Sequence, residues 1–367
     1  MPNHLSHLKH FVKPSLFQLI YHVTYACNAH CPFCIHRSYL NARQQEELTL
    51  DELRGVASHL PTFPWLLLTG GEPFIRRDLY DVVDIFCRTC DVSHVTLTTN
   101  GMYTDRVTAF VTQLFKGHPN ITLNVGLSVD GIGEEHDRVR ATPENYRLLV
   151  RTVAEVLALK KSCPNLSLKA HTVISRDNVE QFDRIADEVE TLGVSMHTFD
   201  FVRPAEGNKG QDLHALSIDE VRKLLPRIHA RNRHYRGYEN LKLHSVLVKE
   251  TAMAVLDHNY DLYPQFMEQQ TQVIPCLAPE RNLVLDAYGS VGFCELREWI
   301  GNVREFHLNV AELMASPQAK KLRESIKKKE CFCFHPCYQQ VNVLFNKLEL
   351  TKALLKRADL PGVFRTS

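Results

Sequence analysis

From residue 16 onward, short apolar runs in the two-residue rhythm of a strand alternate with stretches whose apolar residues fall at helical spacing. Phe17–Tyr25 (FQLIYHVTY) is strand-like and delivers the chain to a cysteine-bearing loop. Thr49-Leu50-Asp51-Glu52 has the form of a capping box and predicts a helix through about Leu60. Trp65–Thr69 is a short buried strand ending at Gly70-Gly71. Leu79, Val82, Val83, Phe86, Cys87 and Cys90 then mark one helix face. His94–Gly101 predicts a strand, and Val107, Phe110, Val111 and Leu114 predict a helix. Ile121–Gly131 precedes a helix over roughly 145–160, and Leu166–Ile174 precedes one built on Val179, Phe182, Ile185 and Val189. Ser195–Val202 is a sixth strand.

Six βα-type units in succession imply an α/β fold with a parallel sheet, open or curled into a partial barrel. Chemistry in such folds gathers at the carboxyl ends of the strands. The cysteine loop, Gly70-Gly71-Glu72-Pro73, Thr99-Asn100-Gly101 and Ser128-Val129-Asp130-Gly131 all fall there, which predicts one pocket. Beyond Pro204 the pattern changes. A helical stretch over Ser217–His234 leads to more helix-like sequence and a second cysteine-bearing region, Cys276 to Cys337. Leu283–Leu285, a turn at Tyr288-Gly289, then Val291 and Phe293 predict a β-hairpin, followed by a helix near 308–328. No internal repeat or low-complexity linker is visible, and a boundary is expected within 205–240.

The 367 residues suffice for a barrel with an extension, and 44% hydrophobic with 23% charged residues is an ordinary globular composition. A formal net charge of +1 provides no field for nucleic acid or an anionic membrane. The basic run from Lys320 to Lys329 reads as a solvated helix face. No apolar run reaches the ~18 residues of a membrane span. The first residues lack an apolar core and a small-residue cleavage site, so a cytoplasmic, reducing compartment is expected. There, 11 cysteines point to metal or redox chemistry rather than disulfides.

Cys27, Cys31 and Cys34 crowd three thiols into eight residues. Three thiolates leave one position of a tetrahedral metal, or one iron of an iron–sulfur cluster, without a protein ligand. A zinc site completed by His30 or His36 is the plain alternative. Cys27-x3-Cys31-x2-Cys34, with Phe33 before the third cysteine, resembles the signature of the radical S-adenosylmethionine (radical SAM) superfamily. Gly70-Gly71-Glu72-Pro73 resembles that family's SAM-amino segment, where paired glycines let the backbone come close to a ligand. Ser128 and Arg140 resemble the residues that hold the SAM carboxylate in the branch containing sulfatase-maturing enzymes, and an Arg fork suits a carboxylate. Thr99 and Asn100 would then lie near the ribose.

The resemblance covers roughly residues 16–205. It implies a partial (β/α)6 TIM-like barrel and a [4Fe-4S] cluster whose open iron is chelated by SAM. One-electron reduction would give methionine and a 5′-deoxyadenosyl radical that takes hydrogen from an inert C–H bond. It also implies a low-potential electron donor, a flavodoxin or ferredoxin.

Cys276-x12-Gly289-x4-Cys294, then Cys331, Cys333 and Cys337, resembles the SPASM or shorter twitch extension that binds auxiliary iron–sulfur clusters. Two clusters there use seven or more cysteines and five stand here. One auxiliary [4Fe-4S] cluster is therefore implied, held by Cys276, Cys294 and two of Cys331, Cys333 and Cys337. A zinc ribbon on the same thiols is the alternative. The expected organisation is an N-terminal extension (1–15), the barrel (16–205), a helical connection (206–270), the SPASM/twitch-like domain (271–340) and a C-terminal helix and tail (341–367).

Cys87 and Cys90 share an apolar helix face and read as structural thiols, and Cys163 as incidental. His171, Asp200 and the segment Arg203–Gly207 are either substrate-facing or ordinary strand-end residues. Asp286 and Glu295 are candidate general bases. The substrate class implied is a small metabolite or biosynthetic intermediate, because the 26 residues before Cys27 are too few for a leader-binding domain. A peptide or protein maturase is the alternative. A non-catalytic double-zinc module or a thiol oxidoreductase using Cys87 and Cys90 would leave Gly70–Pro73, Ser128 and Arg140 unexplained.

Overall fold

The computed structural model describes residue 10 and residues 13–42, 45–202, 214–234 and 246–358. Six strands, β1 (Gln18–Thr24), β2 (Trp65–Gly70), β3 (His94–Thr99), β4 (Thr122–Ser128), β5 (Leu166–Ile174) and β6 (Met196–Phe201), lie side by side in sequence order, each parallel to the next. Helices α1 (Leu50–Ser58), α2 (Leu79–Cys90), α3 (Thr104–Gly117), α4 (Glu134–Val139), α5 (Asn145–Leu159) and α6 (Phe182–Thr191) fill the crossovers. The Thr49–Glu52 capping box closes reciprocally at the start of α1, as its sequence predicts. The short α4, which carries the chain to Arg140, has no counterpart in the sequence reading. Its six residues are too few to display a period.

Strand pleating sorts the two faces. Leu19, Tyr21, Leu66, Leu68, Val95, Leu97, Leu123, Val125, Leu166 and Leu168 pack in one buried cluster with the helices. Their alternates, among them Thr96, Thr98, Asn124, Lys169 and His171, line a cavity on the opposite face. That face mixes these polar residues with apolar Ile20 and Leu67, unlike the all-apolar faces of fully buried parallel strands.

Beyond the barrel, α7 (Ile218–His234) and α8 (Val246–Gln269) pack against Phe199 and Phe201 of β6. After the single turn α9 (Ala278–Arg281), the expected hairpin forms as β7 (Asn282–Leu285) and β8 (Ser290–Gly292), with a short β9 (Gly301–Asn302). It does not stand apart: β7 pairs in parallel with β1, Gln18 opposite Asn282 through Tyr21 opposite Leu285, giving one nine-stranded sheet in the order β6-β5-β4-β3-β2-β1-β7-β8-β9. The helix expected near 308–328 is broken at Ser316-Pro317 into α10 (Val310–Ala315) and α11 (Pro317–Lys327), because Ser316 caps the second piece. The chain then forms α12 (Pro336–Phe345) and α13 (Lys347–Ala358). Arg203–Gly207 and part of the expected 205–240 boundary lie outside the described residues. Among the described residues no helix is long and apolar enough to cross a membrane.

His229 of α7 bonds Asp257 at 3.3 Å and Asp261 at 3.0 Å, both on α8. Burial disfavours its charge, but the two carboxylates prevail and raise its pKa to about 9. A raised folded-state pKa gives stability that is complete below the unfolded value of about 6.5 and is lost as pH rises toward 9. The difference in unfolding free energy between wild type and His229→Gln, measured by urea denaturation, is expected to be on the order of 1–3 kcal/mol at pH 6 and to shrink steadily up to pH 9.5.

Candidate active site

The cysteine loop leaves β1 and is fastened on two sides. Thr24 Oγ1 and the Tyr25 N–H donate to Glu47, and Asn41 clasps the Cys27 backbone, accepting from its N–H at 3.0 Å and donating to its carbonyl at 3.0 Å. Gly71 N–H donates to the Thr24 carbonyl at 2.7 Å and Glu72 N–H to that of Ala26 at 2.9 Å. A Cβ on Gly71 would stand 2.1 Å from the Ala26 oxygen. The close backbone approach that requires glycine is therefore made to the start of the cysteine loop.

Glu72 is fully buried, and its carboxylate accepts from Phe74 N–H, Thr99 Oγ1 (2.7 Å) and Asn100 N–H (2.8 Å). Burial raises its pKa against these three bonds. The Asn100 side chain reaches back to Asn28 of the loop at 2.8 Å. Thr99 and Asn100 thus tie the ends of β2 and β3 to the loop and do not line the cavity, whereas Gly70 and Ser128 do.

Cys27, Cys31 and Cys34 pack together with Ala29, Phe33, Val139 and Val202. Burial pushes all three thiols up, Cys34 to about 11, and Arg140 opposes the rise. Arg140 is itself buried. Nη1 donates to Asp130 Oδ2 at 2.6 Å, and Asp130 Oδ1 accepts from Val173 N–H. Burial disfavours the guanidinium charge, yet Cys31 and Asp130 beside it hold its pKa above the usual value. Arg140 Nε has no hydrogen-bond partner among the described residues, although the side chain lines the cavity. A free donor on a charged fork beside three thiols fits a carboxylate. The donor set fits the [4Fe-4S]–SAM pair implied by the sequence.

Of the histidines in the zinc alternative, His30 is exposed and His36 turns to another cluster, its Nε2 lying 3.9 Å from Glu295 Oε1. Four zinc-bound sulfurs stand about 3.8 Å apart, given Zn–S bonds of about 2.3 Å. Among the described residues, no three cysteine sulfurs come within 4.8 Å of one another.

In the second set, burial raises the Cys276 and Cys294 thiols, and the charges of Cys333 and Cys331 push them further. Arg297 lies near Cys331, and Gln272 and Gln339 approach the Cys333 sulfur at 3.9 and 3.8 Å. Cys337 packs at the edge of this group and faces the cavity.

Cys31 and Cys34 of the first set and Cys337 of the second border one cavity of about 300 Å³. His171 and Asp200 face it, as do Lys169, Asn259 and Tyr260. Glu295 lies on its wall as well. Asp286 does not: its carboxylate accepts from Tyr288 and Ser290 N–H and closes the β7–β8 turn. Cys87 and Cys90 sit on the packed face of α2, both thiols pushed up to about 12 by burial, which leaves them inert.

Sequence reasoning missed Asp130 as the partner of Arg140, and it missed His22 and His335. His22 carried a signal: in β1 it shares the alternation of Gln18 and Ile20, which places a polar residue on the inner face.

Residues 21–189 match the family model described as the radical SAM superfamily. AdoMet-dependent heme synthase of Methanosarcina barkeri is 26% identical over 207 residues, 55% of this chain and 56% of that protein. Fe-coproporphyrin III synthase of the same organism is 28% identical over 246 residues, 64% of this chain and 56% of that protein. The chain thus spans about half the length of the curated relatives it matches. The structure of anSMEcpe with bound AdoMet and Cp18Cys peptide superposes at a TM-score of 0.58 over 94% of this chain and 97% of its own, with 15% identity, a likeness of fold.

Asp130→Asn leaves the Arg140 charge buried without its counter-ion. Chemical denaturation is expected to show a loss of about 3–5 kcal/mol, the cost of breaking a buried pair from one side.

Proposed function

We propose, from the radical SAM domain that this chain carries over residues 21–189, that the protein is a radical SAM enzyme acting on a small metabolite or biosynthetic intermediate. The observation that carries the reading is the convergence of Cys31, Cys34, Ser128 and the Arg140 side chain, whose Nε lacks a hydrogen-bond partner among the described residues, on one cavity. When bound, a [4Fe-4S] cluster and S-adenosylmethionine supply a one-electron cleavage that yields a group able to take hydrogen from an unreactive C–H bond. The chain's own residues orient and exclude. Cys27, Cys31 and Cys34 hold three corners of the cluster, Arg140 and Ser128 grip the SAM carboxylate, and the bonds of Glu72 fix the loop against the strand ends. Burial of Cys31, Glu72 and Arg140 limits the access of water to the reacting atoms.

A cavity of about 300 Å³ suits a small molecule. His171, Lys169 and Asp200 on its wall offer contacts to polar substituents. A peptide substrate is the second reading, favoured by the likeness of fold to anSMEcpe, whose structure holds a peptide. The electron comes, in this reading, from a low-potential flavodoxin or ferredoxin.

For the auxiliary cluster we favour Cys276, Cys294, Cys331 and Cys333, whose thiols act on one another, with Cys337 left facing the cavity. A SPASM/twitch-like role for residues 271–340 rests on this set.

Anaerobically reconstituted protein is expected to carry about eight irons per chain, falling to about four in a Cys27/Cys31/Cys34→Ala variant. Wild type alone should release 5′-deoxyadenosine and methionine from SAM under a strong reductant. Colourless protein with stoichiometric zinc would overturn the reading. Cys333→Ala should likewise lose about four irons, and Cys337→Ala none.

A further inference from the structure

Two residues past Cys34 and one past Cys294, side chains from both thiol regions meet around a single carboxylate. His22 Nε2 lies 2.8 Å from Glu295 Oε1 and His36 Nε2 lies 3.9 Å from the same oxygen. The other oxygen, Oε2, is held by His335 Nε2 at 2.7 Å and by the Tyr338 hydroxyl at 3.3 Å. His335 Nδ1 accepts from the Cys337 N–H at 3.3 Å, which places the proton on Nε2 and makes that atom a donor to Oε2. His22 Nδ1 meets the Tyr25 hydroxyl at 3.2 Å. All of these side chains are buried, and His36, Glu295 and His335 border the cavity.

The two carboxylate oxygens have different neighbours. Oε2 is fixed by two donors, while Oε1 faces two imidazole nitrogens that converge on it. The His36 ring packs edge-on against His22, centroids 4.5 Å apart, and tilted against Tyr25 at 5.9 Å, which holds its Nε2 beside the same carboxylate oxygen that His22 contacts. The spacing of the three donor atoms suits a shared ion. With ligand bonds of about 2.1 Å, donors at right angles stand about 3 Å apart and opposed donors about 4.2 Å. The 2.8 and 3.9 Å separations fall within or at the edge of that span. Among the described residues His22, His36 and Glu295 are the histidine, cysteine or carboxylate trio whose donor atoms all lie within 4.8 Å of one another. The surrounding bonds are those of a metal site's outer shell: a hydroxyl on the far nitrogen of one imidazole, and fixed donors on the non-ligating carboxylate oxygen.

We propose that His22, His36 and Glu295 bind one divalent first-row transition-metal ion, separate from both thiol sets. Two imidazoles and one carboxylate select Fe(II), Mn(II) or Zn(II) over Mg(II) or Ca(II), which prefer oxygen alone. Three protein ligands leave positions open, and the cavity supplies the space beside them. An oxygen donor of the substrate can complete the coordination, which would place it between the Cys34 and Cys294 regions.

Mn(II) alone is the probe, because it has little affinity for thiolates and does not compete for the cysteines. Loss of the free Mn(II) electron paramagnetic resonance signal on titration into reconstituted protein should show one saturable site per chain. Electron spin echo modulation should show nitrogen coupled to the bound ion, which reports imidazole ligation without any variant. His36→Gln and Glu295→Gln should each weaken binding at least tenfold while iron and sulfide content stay unchanged. Absence of saturable binding, absence of nitrogen coupling, or binding that survives both substitutions would overturn the proposal. Iron content and SAM cleavage are read separately, so failure of this site is distinguishable from failure of the radical SAM reading.

Discussion

The parallel pairing of β1 with β7 is the contact on which the rest of the site depends. β1 is bonded to β2 on one edge and to β7 on the other. The first connection delivers Gly70–Pro73 against the start of the cysteine loop. The second brings the hairpin, and with it Cys294 and Glu295, alongside the same strand. Without it Glu295 would not share a cavity wall with Cys31 and Cys34. The contacts of His22 with Glu295 and of Glu52 with Arg304 would likewise not exist. Arg304 also donates to the Glu46 and Tyr288 carbonyls, so the extension is clamped to the barrel by an ionic bridge as well as by a strand.

Electrostatics within this frame are sharply divided. Three thiols and Asp130 surround a single buried guanidinium, and burial acts against every charge present. Such an arrangement is tolerable because each group is held by directed bonds: Asp130 by Val173 and Arg140, and Glu72 by three donors. Around Glu295 the balance is reversed. Burial disfavours the carboxylate, but His335 and His22 hold it well below its usual range.

The barrel was legible because its signals are local. Alternation in Leu166–Ile174 and helical spacing from Leu79 to Cys90 each report their own element, and the structure reproduces both. The same holds for the three-cysteine loop and the Gly-Gly turn, whose residues are neighbours in the chain. What stayed hidden is non-local. Nothing in Thr99 or Asn100 announces that they bond Glu72, since a hydroxyl at a strand end suits a ribose equally well. The partner of Arg140 is ten residues away across a turn. The union of the hairpin with the barrel sheet is a pairing between distant segments, and periodicity says nothing about partners. Asp286 and Glu295 looked alike as carboxylates near a cysteine. Only the turn geometry separates the one that caps backbone amides from the one that faces the cavity.

His22 and Glu295 are 273 residues apart in the chain. At synthesis rates of roughly 5–20 residues per second, a ribosome needs on the order of half a minute to make that interval. Throughout it the N-terminal strand has one edge without a partner, an invitation to pairing with other chains. The cysteine loop meanwhile stands open on the side later closed by the hairpin. Biogenesis therefore contains a window in which one edge of β1 and one side of the cysteine loop are uncovered, and the pairing of β7 with β1 ends it.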